Sequence, residues 1–280
     1  MTDLIAVPTN RREAITRLAA ELRPGMTVAL STHVNADGDG CGSQAAFARL
    51  LGQIGVRAIV VNPTPWPEMF RWLLADDVEE RSAEGAAVLA TVDRLVVLDI
   101  SDVKRLGGLA STVRGLPQEA LVIDHHLPGE EPPGTILVSD TSACATGELV
   151  FDLAQVLGLT ITTPIAQALY TALVTDTGGF RFGNTSPRCL MVAAALLQAG
   201  VNPEQMYARI YGSVPLGRVK LLRDALETLE TDLAHGIAWV SIADGLLEAH
   251  GATSEDLDGI VEHPRSIAGV RLALLFRELP

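Results

Sequence analysis

Histidine and aspartate recur in this chain in four short clusters, each at the end of an apolar run. They are His33-Val34-Asn35-Ala36-Asp37-Gly38-Asp39, the single Asp99, Asp124-His125-His126, and Asp176 within Thr175-Asp176-Thr177-Gly178-Gly179. Singly, each has a plain structural reading. Asp37 and Asp39 sit in a glycine-rich stretch that suits turns, and Asp99 could cap a helix beginning near Ser101. A histidine pair after a strand is usually packed or solvated, and Asp176 beside two glycines suits a helix-ending turn. Four independent element ends that all supply carboxylate or imidazole are not expected of turn chemistry. Carboxylate oxygen with imidazole and no thiolate favours Mn2+, Mg2+, Co2+ or Fe2+ over structural zinc. The ligands exceed the need of one ion and suit two ions about 3.5–4 Å apart that share a carboxylate. Without cations, so many carboxylates would repel one another and protonate.

A dinucleotide site competes for the first cluster. Gly38-x-Gly40-x-Gly42 follows a strand, but Ser43 stands where that fingerprint needs its third Gly or Ala. The second strand is followed by Asn62, where an acidic residue should meet a ribose hydroxyl. Asp37 and Asp39 would also face the pyrophosphate, so this reading is set aside. Cys41 lies near the cluster but has no basic partner in sequence and is not expected to be a nucleophile.

Alternating strands and helices must position these residues. Asn10 can cap a helix to about Leu22, ended by Pro24 and Gly25. Strands are expected at Met26–Thr32, Arg57–Val61, Arg94–Ile100 and Leu121–Ile123, with a helix over Gln44–Leu51. The pattern is that of an α/β protein with a mostly parallel sheet flanked by helices, the chemistry lying at strand C-terminal ends. Helices dominate from Ala145 onward, including Thr163–Thr175, Pro187–Leu197, one starting at Pro203, and a long charged helix over Leu216–Leu233. Only two strands are expected after it, Ile237–Ile242 and Val270–Phe276. Two are too few for an independent sheet, so this smaller C-terminal α/β domain reads as incomplete. The expected boundaries are residues 1–195 for the catalytic domain, 196–233 for a helical linker region and 234–280 for the partial second domain.

Composition narrows the function. The 280 residues carry 21 Lys and Arg against 34 Asp and Glu, a formal charge of -13. A pI near 4.8 argues against tracking long duplex nucleic acid, which needs many cations on phosphates. Mean hydropathy is +0.27, yet no apolar run approaches the roughly 18 residues that span a membrane. The start of the chain, with Asp3, Asn10, Arg11 and Arg12, lacks the pattern of a signal peptide. Cys41, Cys144 and Cys189 form no C-x-x-C pair, which suits a reducing compartment. A cytoplasmic protein is expected.

His33-x-x-x-Asp37-Gly38-Asp39-x-x-Gly42-Ser43, Asp99, Asp124-His125-His126 and the Asp176 segment resemble, in order, the four motifs of the DHH phosphoesterase superfamily. The resemblance covers roughly Met26 to Arg188. Residues 177–185 and His263-Pro264-Arg265-Ser266 are similar to the NrnA-type subgroup, which hydrolyses very short RNA and 3'-phosphoadenosine 5'-phosphate. The resemblance implies two divalent ions, Mn2+ first, with Mg2+ or Co2+ as alternatives. One ion would be held by His33, Asp37 and Asp99, and the other by Asp39, Asp99, His125 and Asp176, with Asp99 bridging. Asp124 would orient His125, and His126 would hydrogen-bond a substrate phosphate. The implied reaction is in-line attack on phosphorus by hydroxide held at the two ions. The implied substrate is a short single-stranded RNA or DNA or a nucleotide, and a homodimer is compatible.

Arg265, beside Ser266, is the candidate for a terminal phosphate, because a guanidinium fork binds phosphate bidentately. A solvated loop residue is the alternative. Phe180, Arg181 and Phe182 could stack on a base but are expected to pack between domains. Tyr207 and Tyr211 read as core, and Trp66 as loop packing. The chain stops at Glu278-Leu279-Pro280 without the glycine-rich, histidine-containing motif that closes the second domain in the family. A truncated chain or a shortened module is therefore expected. Alternatives are a cyclic-dinucleotide phosphodiesterase, a manganese-dependent inorganic pyrophosphatase, or a nucleotide sensor with a vestigial site.

Overall fold

The computed structural model describes residues 5–212, 214–257 and 259–278. Asp3, and Leu279 and Pro280 at the chain end, lie outside the described residues. Tertiary contacts divide the chain between Ile210 and Tyr211 into two units.

The first unit opens with α1 (Thr9–Ala19), β1 (Thr27–Ser31), α2 (Gly38–Gln53), β2 (Arg57–Val60) and β3 (Glu79–Glu80). It continues through α3 (Ala86–Leu89), β4 (Arg94–Leu98), α4 (Ala110–Arg114), β5 (Leu121–Asp124) and β6 (Ile136–Ser139). Four helices complete it: α5 (Thr146–Val156), α6 (Thr163–Asp176), α7 (Pro187–Gln198) and α8 (Pro203–Ile210). The strands form one parallel sheet in the order β3-β2-β1-β4-β5-β6. Strand side chains alternate between two cores. Val28, Leu30, Val96, Leu98 and Ile123 meet α2, α5 and α6, while Ala29, Ile59 and Val97 meet Val88, Leu106 and Val113 on the other face. Burial on both faces explains the unbroken apolar runs.

This order places a topological switch between β1 and β4. The chain leaves β1 toward one edge and leaves β4 toward the other, which opens a crevice at their C-terminal ends. Residues 33–39 follow β1, Asp99 follows β4, and Asp124 ends β5. The sheet thus delivers three of the four clusters to one crevice. The fourth comes from α6, which packs closely on α2. A Cβ on Gly42 would come within 2.4 Å of the Ala168 carbonyl oxygen and 2.9 Å of the Ala172 nitrogen. Only glycine permits that approach.

Several elements differ from expectation. The α2 helix starts at Gly38 rather than Gln44, because the Asp37 carboxylate caps it by accepting from the amides of Asp39 and Gly40. The two sheet-edge strands, β3 and β6, were not legible. Asp99 caps no helix; Asp102 does so instead, accepting from Lys104 N ahead of a 3-10 turn over Val103–Leu109. The side chain of Asn10 does not cap α1, whose N-cap is Pro8. Tyr207 and Tyr211 are largely exposed rather than core, whereas Trp66 is buried and Phe180 packs inside the first unit, edge-on to Tyr170.

In the second unit, α9 (Leu216–Glu227) is shorter than expected. Its C-terminal continuation becomes β7 (Glu230–Asp232), which pairs antiparallel with β8 (Ile237–Ile242). After α10 (Leu246–Ala249) and α11 (Glu262–Arg265), β9 (Leu272–Arg277) pairs parallel with β8. The sheet therefore has three strands, not two. It packs Val240 and Ile242 against Leu221, Ala225, Leu247 and Ile260. Among the described residues no helix is long and apolar enough to cross a membrane.

Candidate metal centre

Three side-chain groups with metal-ligating atoms converge in the crevice: His33, Asp37 and Asp99; Asp39, His125 and Asp176; and Asp99, His125 and His126. His33 Nε2 lies 3.7 Å from Asp37 Oδ2 and 3.5 Å from Asp99 Oδ2. His125 Nε2 lies 3.7 Å from Asp39 Oδ2, 3.6 Å from Asp99 Oδ1 and 3.7 Å from Asp176 Oδ2. These gaps are too long for hydrogen bonds. Two ligands, each about 2.1 Å from a common ion, sit roughly 3.5 Å apart when that ion lies between them.

The imidazoles are prepared for such a role. His33 Nδ1 is 2.9 Å from the Val34 carbonyl and His125 Nδ1 is 3.3 Å from the Ala143 carbonyl. Carbonyls only accept, so Nδ1 donates in both rings and Nε2 is the nitrogen turned to the carboxylates, free to ligate once any proton on it is displaced. Both Nε2 atoms are buried without a hydrogen-bond partner, the disposition that metal-bound imidazoles adopt. The residues therefore fit divalent cations. Asp99 takes a left-handed backbone, with φ at +65°, which aspartate tolerates better than most residues. Its Oδ2 faces His33 while its Oδ1 faces His125 and His126, so one carboxylate addresses both groups.

Charge in the crevice is unbalanced. Burial and then the charges of Asp99, Asp176 and Asp37 push the Asp39 carboxyl well above its usual range, against the amide of Thr146. Asp176 is pushed up to about 6, mainly by burial and the neighbouring Asp99 and Asp37, despite His125. Burial would lower the His33 imidazole, but Asp37 and Asp99 outweigh it and lift it to about 10. For Asp37 burial is again outweighed, here by His33 and the capping amides, and its carboxyl falls below the usual value. Carboxylates that resist ionisation together call for cations.

Asp124 differs from its expected role. Its Oδ1 pairs with His126 Nδ1 at 2.8 Å, not with His125, which uses the Ala143 carbonyl. That bond, followed by the charge of Asp99, raises the His126 imidazole against burial and Arg105.

Supporting residues were missed from sequence. Asp39 accepts from Ser43 Oγ at 2.9 Å, Thr146 N at 2.6 Å and Gly147 N at 3.0 Å. The two amides open α5, where helix N–H groups lack internal partners and favour an anion. Asn184 Nδ2 holds Asp176 Oδ2 at 3.1 Å. A Thr-Gly pair opening a largely apolar helix was the one visible signal. Arg265 and Ser266 belong to the second unit. Arg265 is exposed and 3.2 Å from Glu262, and Ser266 Oγ donates to the His263 carbonyl. Arg181 Nε donates to the Gly178 carbonyl, and Phe182 is exposed.

The DHH family N-terminal domain pattern matches residues 27–173, which include β1 through most of α6. The chain is 33% identical to the bifunctional oligoribonuclease and PAP phosphatase NrnA of Thermus thermophilus, across 94% of this chain and 76% of that one. To the protein of the same name from Bacillus subtilis it is 29% identical, across 90% of this chain and 78% of that one. An exopolyphosphatase-related protein from Bacteroides fragilis has the same fold, with a TM-score of 0.86 at 24% identity over 96% of this chain and 80% of the other. On the length and order of these matches, the chain belongs to the DHH family and is a metal-dependent phosphoesterase.

Proposed function

We propose that this phosphoesterase hydrolyses very short oligonucleotides, such as the dinucleotide pApA, to mononucleotides, and 3'-phosphoadenosine 5'-phosphate to AMP and phosphate. The observation that carries the reading is Asp99, whose two oxygens address separate imidazole-carboxylate groups. Two relatives named as bifunctional oligoribonuclease and PAP phosphatase, similar over nine-tenths or more of this chain, supply the substrate class. His33, Asp37 and Asp99 would hold one divalent ion, and Asp39, Asp99, His125 and Asp176 a second. Mn2+ is the first choice for oxygen-rich sites with imidazole. When bound, the ions supply Lewis-acid stabilisation of charge at phosphorus and an activated water near neutral pH.

The chain's own residues do the rest. The α5 amides keep Asp39 in place, and Asn184 keeps Asp176 in place. Asp124 favours the charged form of His126, whose Nε2–H then donates to a phosphate oxygen as charge develops there. Arg265 and Ser266 are the candidate contacts for a terminal phosphate, with Arg265 exchanging Glu262 for that phosphate.

Chromatographic product analysis tests the reading. With Mn2+, pApA should yield AMP, and 3'-phosphoadenosine 5'-phosphate should yield AMP and phosphate. Both products should vanish with chelator and in Asp99→Ala. Intact substrates with folded, Mn2+-loaded protein would overturn the assigned substrate class.

A further inference from the structure

Thr146 is fully buried at the first turn of α5. It touches two of the clustered carboxylates at once. Its backbone N–H donates to Asp39 Oδ2 at 2.6 Å, and its Oγ1 donates to Asp99 Oδ1 at 3.0 Å. Those two oxygens are the ones that lie 3.7 Å and 3.6 Å from His125 Nε2. A carboxylate oxygen has about two lone-pair directions. With one directed to the Thr146 hydroxyl, Asp99 Oδ1 keeps one for a cation, while Oδ2 faces His33. A carboxylate free to rotate could instead present both oxygens to a single ion and leave the other group short of a ligand.

We propose that Thr146 is a positioning residue for the two-cation centre: its hydroxyl fixes the rotation of the shared Asp99, so that one oxygen serves each ligand group, while its amide fixes Asp39. This rests on the two-cation reading above. Helix α5 gives the anchor its stiffness. Arg11 Nη1 bonds Glu148 and Asp152 at 2.6 and 2.8 Å, and Arg188 Nε bonds Glu148 at 3.0 Å, so both acidic residues of α5 are clamped from α1 and α7. The Thr146 hydrogen bonds to the centre run to Asp39 and Asp99, so it acts through those carboxylates. Its effect is on where two mutually repelling carboxylates stand before a cation arrives.

The test is Mn2+ titration calorimetry on the full chain, with paramagnetic resonance of the loaded protein, for wild type, Thr146→Ser, Thr146→Val and Thr146→Ala. Wild type should take up two Mn2+ and give an exchange-coupled spectrum. Thr146→Ser keeps the hydroxyl and should bind the second ion within about threefold of wild type. Thr146→Val and Thr146→Ala should weaken the second ion by about 10–100-fold, as loss of such a partner generally does, with the coupled spectrum absent at two equivalents of Mn2+. At saturating Mn2+ the lost kcat should largely return, with KM for pApA unchanged. Wild-type affinities for both ions in Thr146→Val would overturn the proposal. So would a Thr146→Ser variant as impaired as Thr146→Val, which would mean packing rather than hydrogen bonding. Unfolding of both hydroxyl-free variants in chelator would also overturn it, because the hydroxyl would then support the fold rather than the ligands. Wild type that binds one Mn2+ or none would overturn the two-cation reading itself.

Discussion

His126 Nδ1 donates to Asp124 Oδ1 at 2.8 Å, so the carboxylate of the Asp-His-His run serves the second histidine rather than the first. The two imidazoles thereby separate in task. His125 turns Nε2 toward Asp39, Asp99 and Asp176, while His126 is held at the half-exposed side of the cluster. Replacing Asp124 with Asn should therefore leave the count of bound Mn2+ unchanged and lower kcat by about 10–100-fold. Metal analysis alongside steady-state kinetics checks this, and loss of an ion would contradict it.

Cation binding should release protons and strengthen with pH. Asp176 is pushed up to about 6 by burial and its carboxylate neighbours, so below that pH it holds a proton a cation must displace. The His33 imidazole, burial notwithstanding, is lifted to about 10 by Asp37 and Asp99 and holds one through neutral pH. A carboxyl raised on folding contributes stability present below its unfolded value, about 3.9, and lost as pH rises through about 6. Cations replace the lost protons. Mn2+ affinity should rise steadily from pH 5.5 to 8.5, and the titration heat should vary with the ionisation enthalpy of the buffer. A flat affinity over that range would contradict the account.

Arg11 should matter to the stability of the first unit. It is 3% exposed and bonds Asp140, Glu148 and Asp152, the last two fully buried. Arg11→Met would leave buried carboxylates short of a partner and should lower unfolding stability by about 3–5 kcal/mol. Denaturant unfolding in chelator measures it.

Gly42→Ala tests the close helix pair. The added methyl would meet the backbone of α6 at 2.4 Å. The helices must part, at a cost of about 1–3 kcal/mol, and Asp39 on α2 then moves from Asp176 on α6. Weaker Mn2+ binding should accompany the lower stability. An unchanged melting temperature would show that the helices already have room.

The parallel sheet, and the clusters whose six candidate ligand side chains the fold brings into one crevice, were legible because each cluster follows an apolar run, a local pattern. The supports were not, because they arise only on folding: Thr146 and Asp39 are 107 residues apart. The edge strand β3 has only two residues, too few for any periodicity. Gly38, Gly40 and Gly42 looked like loop glycines, yet the Asp37 cap draws them into α2, where all three lie too near for a Cβ to the Thr175 side chain, the Thr32 side chain and the α6 backbone respectively. Asp124 could not be assigned to one histidine from adjacency, since ring orientation depends on the Ala143 carbonyl. Charge made Leu216–Leu233 read as one helix. The structure ends it at Glu227, and the Thr228 hydroxyl accepts from Ser241 N on β8 as the chain turns into β7.

The bridging role proposed for Asp99 requires it to stand between two cations. Anomalous diffraction at the manganese edge from Mn2+-soaked crystals tests it most directly. Two peaks about 3.5–4 Å apart are expected, one beside His33 and Asp37, the other beside Asp39, His125 and Asp176, with one Asp99 oxygen toward each. A single peak, or peaks that both lie on one side of Asp99, would contradict it.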